Sequence, residues 1–200
     1  MMGATKHQQA LARFADMLEY PGPTLADRAE ECRALVAAGH PQAGEMLGRF
    51  CAFAQANPAA RLEEVYTSIF DMEQDTSPYV GYHLFQESYK RSLFMVELKR
   101  RYREQGFSFD KRELADHLGV MLRFLAQSKD AGLNRELIRE AILPSLARML
   151  TGGENAAARR EGIKSYRALL EALQLVLKEN LQVSPAGEAA DDVQGGGRDV

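Results

Sequence analysis

Tryptophan is absent from this chain of 200 residues, and cysteine occurs only as Cys32 and Cys51. A pair this sparse rules out a disulfide framework and lacks the companions of a zinc site. Each thiol is expected to pack as a small apolar residue. No uninterrupted apolar run reaches the roughly 18 residues that a membrane span requires. The N-terminus, Met1-Met-Gly-Ala-Thr-Lys6, has no apolar h-region, so a cytoplasmic protein without membrane insertion is expected. A net charge of −3 gives no basic field, which argues against nucleic acid as the main partner. There is no glycine-rich phosphate loop: Gly152-Gly153 is a helix stop and Gly195-Gly-Gly197 lies in a polar tail. Gly-x-Ser-x-Gly and His-Glu-x-x-His are missing too, so nothing here signals an enzyme or a resident cofactor or metal.

Alternating β-branched runs bounded by turns are also lacking, while alanine, leucine and glutamate dominate. The fold class expected is all-α, a single-domain bundle of about eight helices over residues 1–183. Residues 184–200, poor in apolar side chains, are expected to be a disordered tail. Helical spacing predicts helices at 6–19 (Leu11, Phe14, Leu18 inward), 25–38 and 41–56 (Met46, Leu47, Phe50, Phe53 or Ala54). A fourth starts at Asn57-Pro58, with Asn57 as cap, and carries Leu62, Val65, Tyr66 and Ile69 on one stripe. A fifth is predicted to run unbroken over 79–104, with Tyr82, Phe85 or Gln86, Tyr89, Leu93, Val96 and Tyr102 or Lys99 at helical spacing. A sixth, capped by Asp110, covers 111–127 (Leu114, His117 or Leu118, Met121, Leu122 and Leu125 inward) and a seventh 132–150, kinked or broken early at Pro144. The last uses Ile163, Tyr166, Leu169, Leu170, Leu173, Val176 and Leu177.

Basic residues are missing from one stretch in particular. Between Leu62 and Tyr89 there is no lysine or arginine, against Glu63, Glu64, Asp71, Glu73, Asp75 and Glu87. The same stretch holds Tyr66, Phe70, Tyr79, Tyr82, Phe85 and Tyr89. Each of these rings alone fits a core, but as a group they are hard to bury, because every tyrosine hydroxyl needs a partner or water. An aromatic surface in an acidic field suits an amphipathic helix bearing arginine or lysine. Carboxylates would speed encounter and set orientation, while apolar burial would hold the complex.

A second cluster, Glu113, Asp116 and His117, lies within one turn of the predicted sixth helix. It reads as a structural or surface ion-pair group. The competing reading is a small helical enzyme or cofactor carrier using these residues with His83, and a generic helical scaffold is a third.

Several of these stretches resemble a known family. Tyr66-Thr-Ser-Ile-Phe70-Asp71, followed by Thr76-Ser-Pro78-Tyr79-Val-Gly-Tyr82-His83-Leu-Phe85, is similar to the central signature of the NarJ-type chaperones. These are the delta subunit of respiratory nitrate reductase, within the wider TorD/DmsD superfamily of molybdoenzyme assembly chaperones. Leu98 to Phe107 continues the likeness, and 113–126 resembles the family's E-L-P-D-H-L-P-V-V-L-E-F-L-A. The resemblance is good over residues 11–128 and architectural beyond.

The resemblance implies a non-catalytic cytoplasmic chaperone. Such a protein binds the N-terminal leader of an unassembled molybdoenzyme catalytic subunit and holds it competent for insertion of the molybdenum cofactor. It is expected to be a monomer or weak dimer. The peptide-binding residues implied are Tyr66, Phe70, Asp71, Tyr79, Tyr82, His83, Phe85, Glu113, Asp116 and His117. Where the family commonly reads Gly-Asp/Glu-Ser-x-x-Arg-Gly, this chain has Gln86-Glu87-Ser88-Tyr89-Lys90-Arg91-Ser92, so a stiffer helix is expected there. Ala115 and Gly119 replace two prolines of the second motif, which leaves open whether the client is nitrate reductase or a related respiratory oxidoreductase.

Overall fold

The computed structural model describes residues 4–110, 112–151 and 161–182, so the expected tail at 184–200 lies outside the described residues. Among them the architecture is all-α, and the one strand-like feature is an isolated bridge between Tyr79 and His117. The helices are α1 (Ala4–Met17), α2 (Leu25–Ala37), α3 (Pro41–Ala56), α4 (Ala59–Tyr66), α5 (Val80–Phe85), α6 (Tyr89–Glu104), α7 (Leu118–Gln127), α8 (Ala131–Leu137), α9 (Leu143–Thr151) and α10 (Glu161–Gln182). None of them is long and apolar enough to cross a membrane.

Helix packing follows the apolar stripes. Leu11, Phe14 and Leu18 are buried, and α1 lies between α2 and α7. Next, α3 packs between α2 and α10, α10 against α9, α9 against α5, and α5 against α6. A Cβ on Gly44 would come within 2.8 Å of the Ala37 Cβ, so α2 and α3 approach at the limit that glycine permits. The α4 stripe of Leu62, Val65, Tyr66 and Ile69 is buried, as are Tyr166, Leu169, Leu173 and Val176 of α10. Both cysteines are buried and unpaired, and burial pushes the Cys51 thiol up to about 11.

Four local expectations are corrected. Asn57 does not cap α4. Its amide donates to the Phe53 carbonyl at 2.8 Å and so closes α3, while Pro58 occupies the capping position. The predicted helix over 79–104 is not continuous: it stops at Phe85, and Gln86 takes φ 55°, ψ −162°, before Tyr89 opens α6. That break turns α6, so Tyr89, Leu93 and Val96 face solvent while Arg91, Leu98 and Tyr102 face inward. The period was legible and the face was not, because the inward side carries an arginine. The predicted helix over 111–127 begins only at Leu118. Asp110 holds Arg112 instead of capping, and the backbone of 116–118 is taken up by contacts to 78–80. Finally, Pro144 neither breaks nor sharply ends its helix. A π-helical turn over Ile138–Ile142 precedes it, in which the Leu143 N–H donates to Ile138. The extra residue accommodates the backbone donor that proline lacks.

Candidate functional site

Three stretches far apart in sequence converge on one cleft of about 650 Å³. One wall is the turn just after α1, Glu19 and Tyr20, and beside it stands Tyr66 at the end of α4. The facing wall is the loop with Phe107, Phe109 and Glu113, and the floor comes from His117, Val120 and Arg123. The π-helical turn Thr67–Asp71 continues α4 and carries Phe70 inward while Asp71 stays exposed.

The aromatic part is a column running from solvent to core. Tyr20, 58% exposed, meets the Tyr66 ring edge-on at 5.7 Å. Tyr66 packs on Phe70 at 4.9 Å, and Phe70 on Tyr166 at 5.3 Å. The Tyr66 hydroxyl donates to the Leu18 carbonyl at 2.9 Å, which ties α4 to the end of α1. Tyr66 is only 6% exposed, so it offers the cleft one edge of its ring. Across the cleft Phe107 and Phe109 stack at 6.3 Å against Tyr102 and Phe124. Gly106, with φ 66°, allows the chain to turn back there after α6.

Carboxylates gather round this column. Burial, with the charges of Asp71 and Glu113, pushes the Tyr66 hydroxyl far above its usual value. The Tyr20 hydroxyl is also raised, by partial desolvation together with Glu63 and Asp71. Tyr79 donates to Glu113 at 3.2 Å, and burial with that neighbour moves it up to about 12. Among the described residues no salt bridge engages Glu63, Asp71 or Glu113. The nearby arginines are already paired, Arg112 with Asp110 at 2.6 Å and Arg123 with Asp16 at 2.8 Å and with Glu19.

Of the ten residues expected at a peptide site, Tyr66 and Phe70 belong to the aromatic column, while Asp71 and Glu113 supply the field around it. Tyr79 stands behind Glu113. Of the other five, His117 lines the cleft floor and the remaining four lie outside its lining. Asp116 is 0% exposed and bound to Arg91, and a completely buried carboxylate cannot meet a ligand at the surface. His117 is the cap of α7: its Nδ1 accepts the Gly119 N–H at 3.1 Å, and burial lowers its pKa. His83 is buried against the Ser77 carbonyl at 2.7 Å, again with a lowered pKa. Phe85 packs on Phe94, and Tyr82 donates to Gln74 at 3.1 Å. Glu113, Asp116 and His117 therefore do not present a shared face, and among the described residues no three His, Cys, Asp or Glu side chains are grouped to hold a metal ion. Tyr20, Phe107 and Phe109 are not among the residues expected at the site from sequence. An aromatic followed directly by a helix-ending Pro21 was the available signal for Tyr20.

Comparison with known proteins supplies the family. The profile of the nitrate reductase delta subunit family matches residues 37–183. The chain belongs to that family. The match extends beyond residue 128, through the last helix, where the sequence resemblance was architectural only. A Bacillus subtilis protein named as a probable nitrate reductase molybdenum cofactor assembly chaperone, NarJ, is 27% identical over 94% of this chain and 98% of its own length. Escherichia coli NarJ, named as the same kind of chaperone, is 31% identical over 56% of this chain, which spans 48% of that protein. A solved structure from Archaeoglobus fulgidus, assigned to redox enzyme maturation, has a similar backbone with TM-score 0.55. It covers 84% of this chain and 93% of its own, and at 20% identity the likeness concerns the fold alone.

Proposed function

We propose that this chain is a non-catalytic, cytoplasmic chaperone of a molybdenum-containing respiratory oxidoreductase, nitrate reductase or a near relative. It captures the N-terminal leader of the unassembled catalytic subunit and keeps that subunit open for insertion of the molybdenum cofactor. The observation that carries this reading is the cleft itself, which sets the Tyr20–Tyr66 pair beside Phe107, Phe109 and Glu113, a carboxylate in no salt bridge among the described residues. Carboxylates without basic partners attract a cationic segment, and exposed ring edges with Phe109 bury its apolar side. Family membership and the names of the relatives agree with this role. The interior residues Asp116, His117 and His83 act by holding the walls.

Because the chain has no tryptophan, a tryptophan placed in a synthetic leader peptide reports binding by fluorescence without background. The peptide corresponds to the N-terminus of the co-encoded molybdoenzyme catalytic subunit. Binding is expected with a negative heat-capacity change and an association rate that falls with salt. Asp71→Lys with Glu113→Lys is expected to slow association about tenfold at low salt and to leave the fold intact. Absence of binding to any such leader, or unchanged rates in the double variant, contradicts the reading.

A further inference from the structure

Arg91 is the one arginine of α6 that faces the interior, 8% exposed on a helix whose other arginines lie at or near the surface. Its Nε donates to Asp116 Oδ2 at 3.0 Å and its Nη1 to Glu87 Oε1 at 2.5 Å. The guanidinium carbon also lies 5.6 Å from the centre of the Tyr79 ring and 5.9 Å from that of Tyr82. Cations in this range are attracted by the ring quadrupole, so one planar charge fixes two rings.

Each ring ends on a different element. The Tyr79 hydroxyl donates to Glu113 on the loop that faces Tyr20, while the Tyr82 hydroxyl donates to Gln74 in the acidic segment after Asp71. The backbone beneath is pinned as well: Val80 N–H donates to Asp116 at 2.8 Å and Leu118 N–H to Pro78 at 2.7 Å. There is no slack in the arrangement, since a Cβ on Gly81 would meet Asp116 Oδ2 at 2.6 Å and the Arg91 Cγ at 3.2 Å.

The geometry points to Arg91 as a positioning residue of the leader site, one that works through Tyr79 and Tyr82 to set Glu113 and the 71–77 segment at their working separation. This rests on the leader-binding reading above. Lysine cannot take over the role. A single ammonium can hold Asp116, but it has no planar fork with which to reach Glu87 and lie over two rings together.

The test uses the full chain and the tryptophan-bearing leader peptide, with variants Arg91→Lys and Arg91→Met/Asp116→Leu. The second removes both charges at once and leaves neither stranded. Both are expected to keep wild-type circular dichroism and to bind the peptide at least tenfold more weakly. The ring resonances of Tyr79 and Tyr82 in tyrosine-labelled protein are expected to shift while those of Tyr166 hold. Tyr79→Phe is expected to cost less affinity in the Arg91→Lys background than in wild type, because the two act along one path. Folded variants that bind as wild type does, additive effects, or unmoved Tyr79 and Tyr82 resonances overturn the inference. If either variant fails to fold, Tyr79→Phe and Tyr82→Phe decide, and wild-type affinity in both overturns it. If wild type binds no leader, the chaperone reading fails on its own account, and the resonances still test the placement of the rings.

Discussion

Asp116 shows how far a residue's role can lie from its first reading. In sequence it sits one position before His117 and three after Glu113, as though all three served one site. In the structure its carboxylate is enclosed and committed to Arg91, and its Oδ1 has no protein partner. Removing one member of a buried ion pair strands the other, at a cost of about 3–5 kcal/mol. Asp116→Asn is therefore expected to lower stability by roughly that amount, seen as a lower urea midpoint with an unchanged slope. The histidines add a pH dependence of definite sign. Burial lowers His83 and His117, and burial with His40 brings His7 from 6.5 to about 4. The unfolded chain takes up these protons before the folded one does. Their contribution is intact above about pH 6.5 and is lost as pH falls below it, for His7 down to about 4. Each histidine adds a slope of up to ~1.4 kcal/mol per pH unit. Thermal midpoints measured between neutral pH and pH 4.5 should start to drop below about 6.5, and a flat profile contradicts this.

Among the elements, the junction of α5 and α6 differs most from its expected form. Where the family commonly has glycine, this chain has Gln86, whose φ of 55° and ψ of −162° lie in a region that side chains strongly disfavour. Loss of the glycine suggested a continuous, stiffer helix, yet the break persists. The reason is tertiary: Arg91 turns inward to Asp116, and the helix must be redirected to bring it there. Gln86→Gly is expected to stabilise the protein by about 1 kcal/mol, since relief of a strain of 1–3 kcal/mol exceeds the added chain entropy. Denaturant titration checks it, and a destabilised variant would show that Gln86 is unstrained. Most helices were legible because their stripes repeat at 3.6 residues and end at Gly or Pro, as α2 does before Gly39 and α3 before Pro58. The start of α7 was not, because the pattern of 113–117 is helical while its backbone is used by Pro78 and Val80.

For the whole molecule, half of the candidate site could be read from the chain and half could not. The acidic, aromatic stretch 62–89 announces itself, because its composition is local. Tyr20 and Phe109 stand more than forty residues before Tyr66 and after it, and only helix packing brings them to the same cleft. Burial was equally invisible: rings at helical spacing look alike whether they end as Tyr66, nearly enclosed, or as Tyr89, 76% exposed. The field around the cleft depends on the same assembly, for Asp71 and Glu113 both raise the Tyr66 hydroxyl only when α4 and the segment bearing Glu113 are in place.

The Tyr79–His117 crossing also fixes an order of events during synthesis. A ribosome delivers Tyr20 and Tyr66 long before Glu113, and Leu118 must emerge before its N–H can close on Pro78. A nascent chain stalled within α6 would present the early acids without the facing wall. Under the proposed function, capture of a leader would be reserved for molecules whose translation has passed the start of α7.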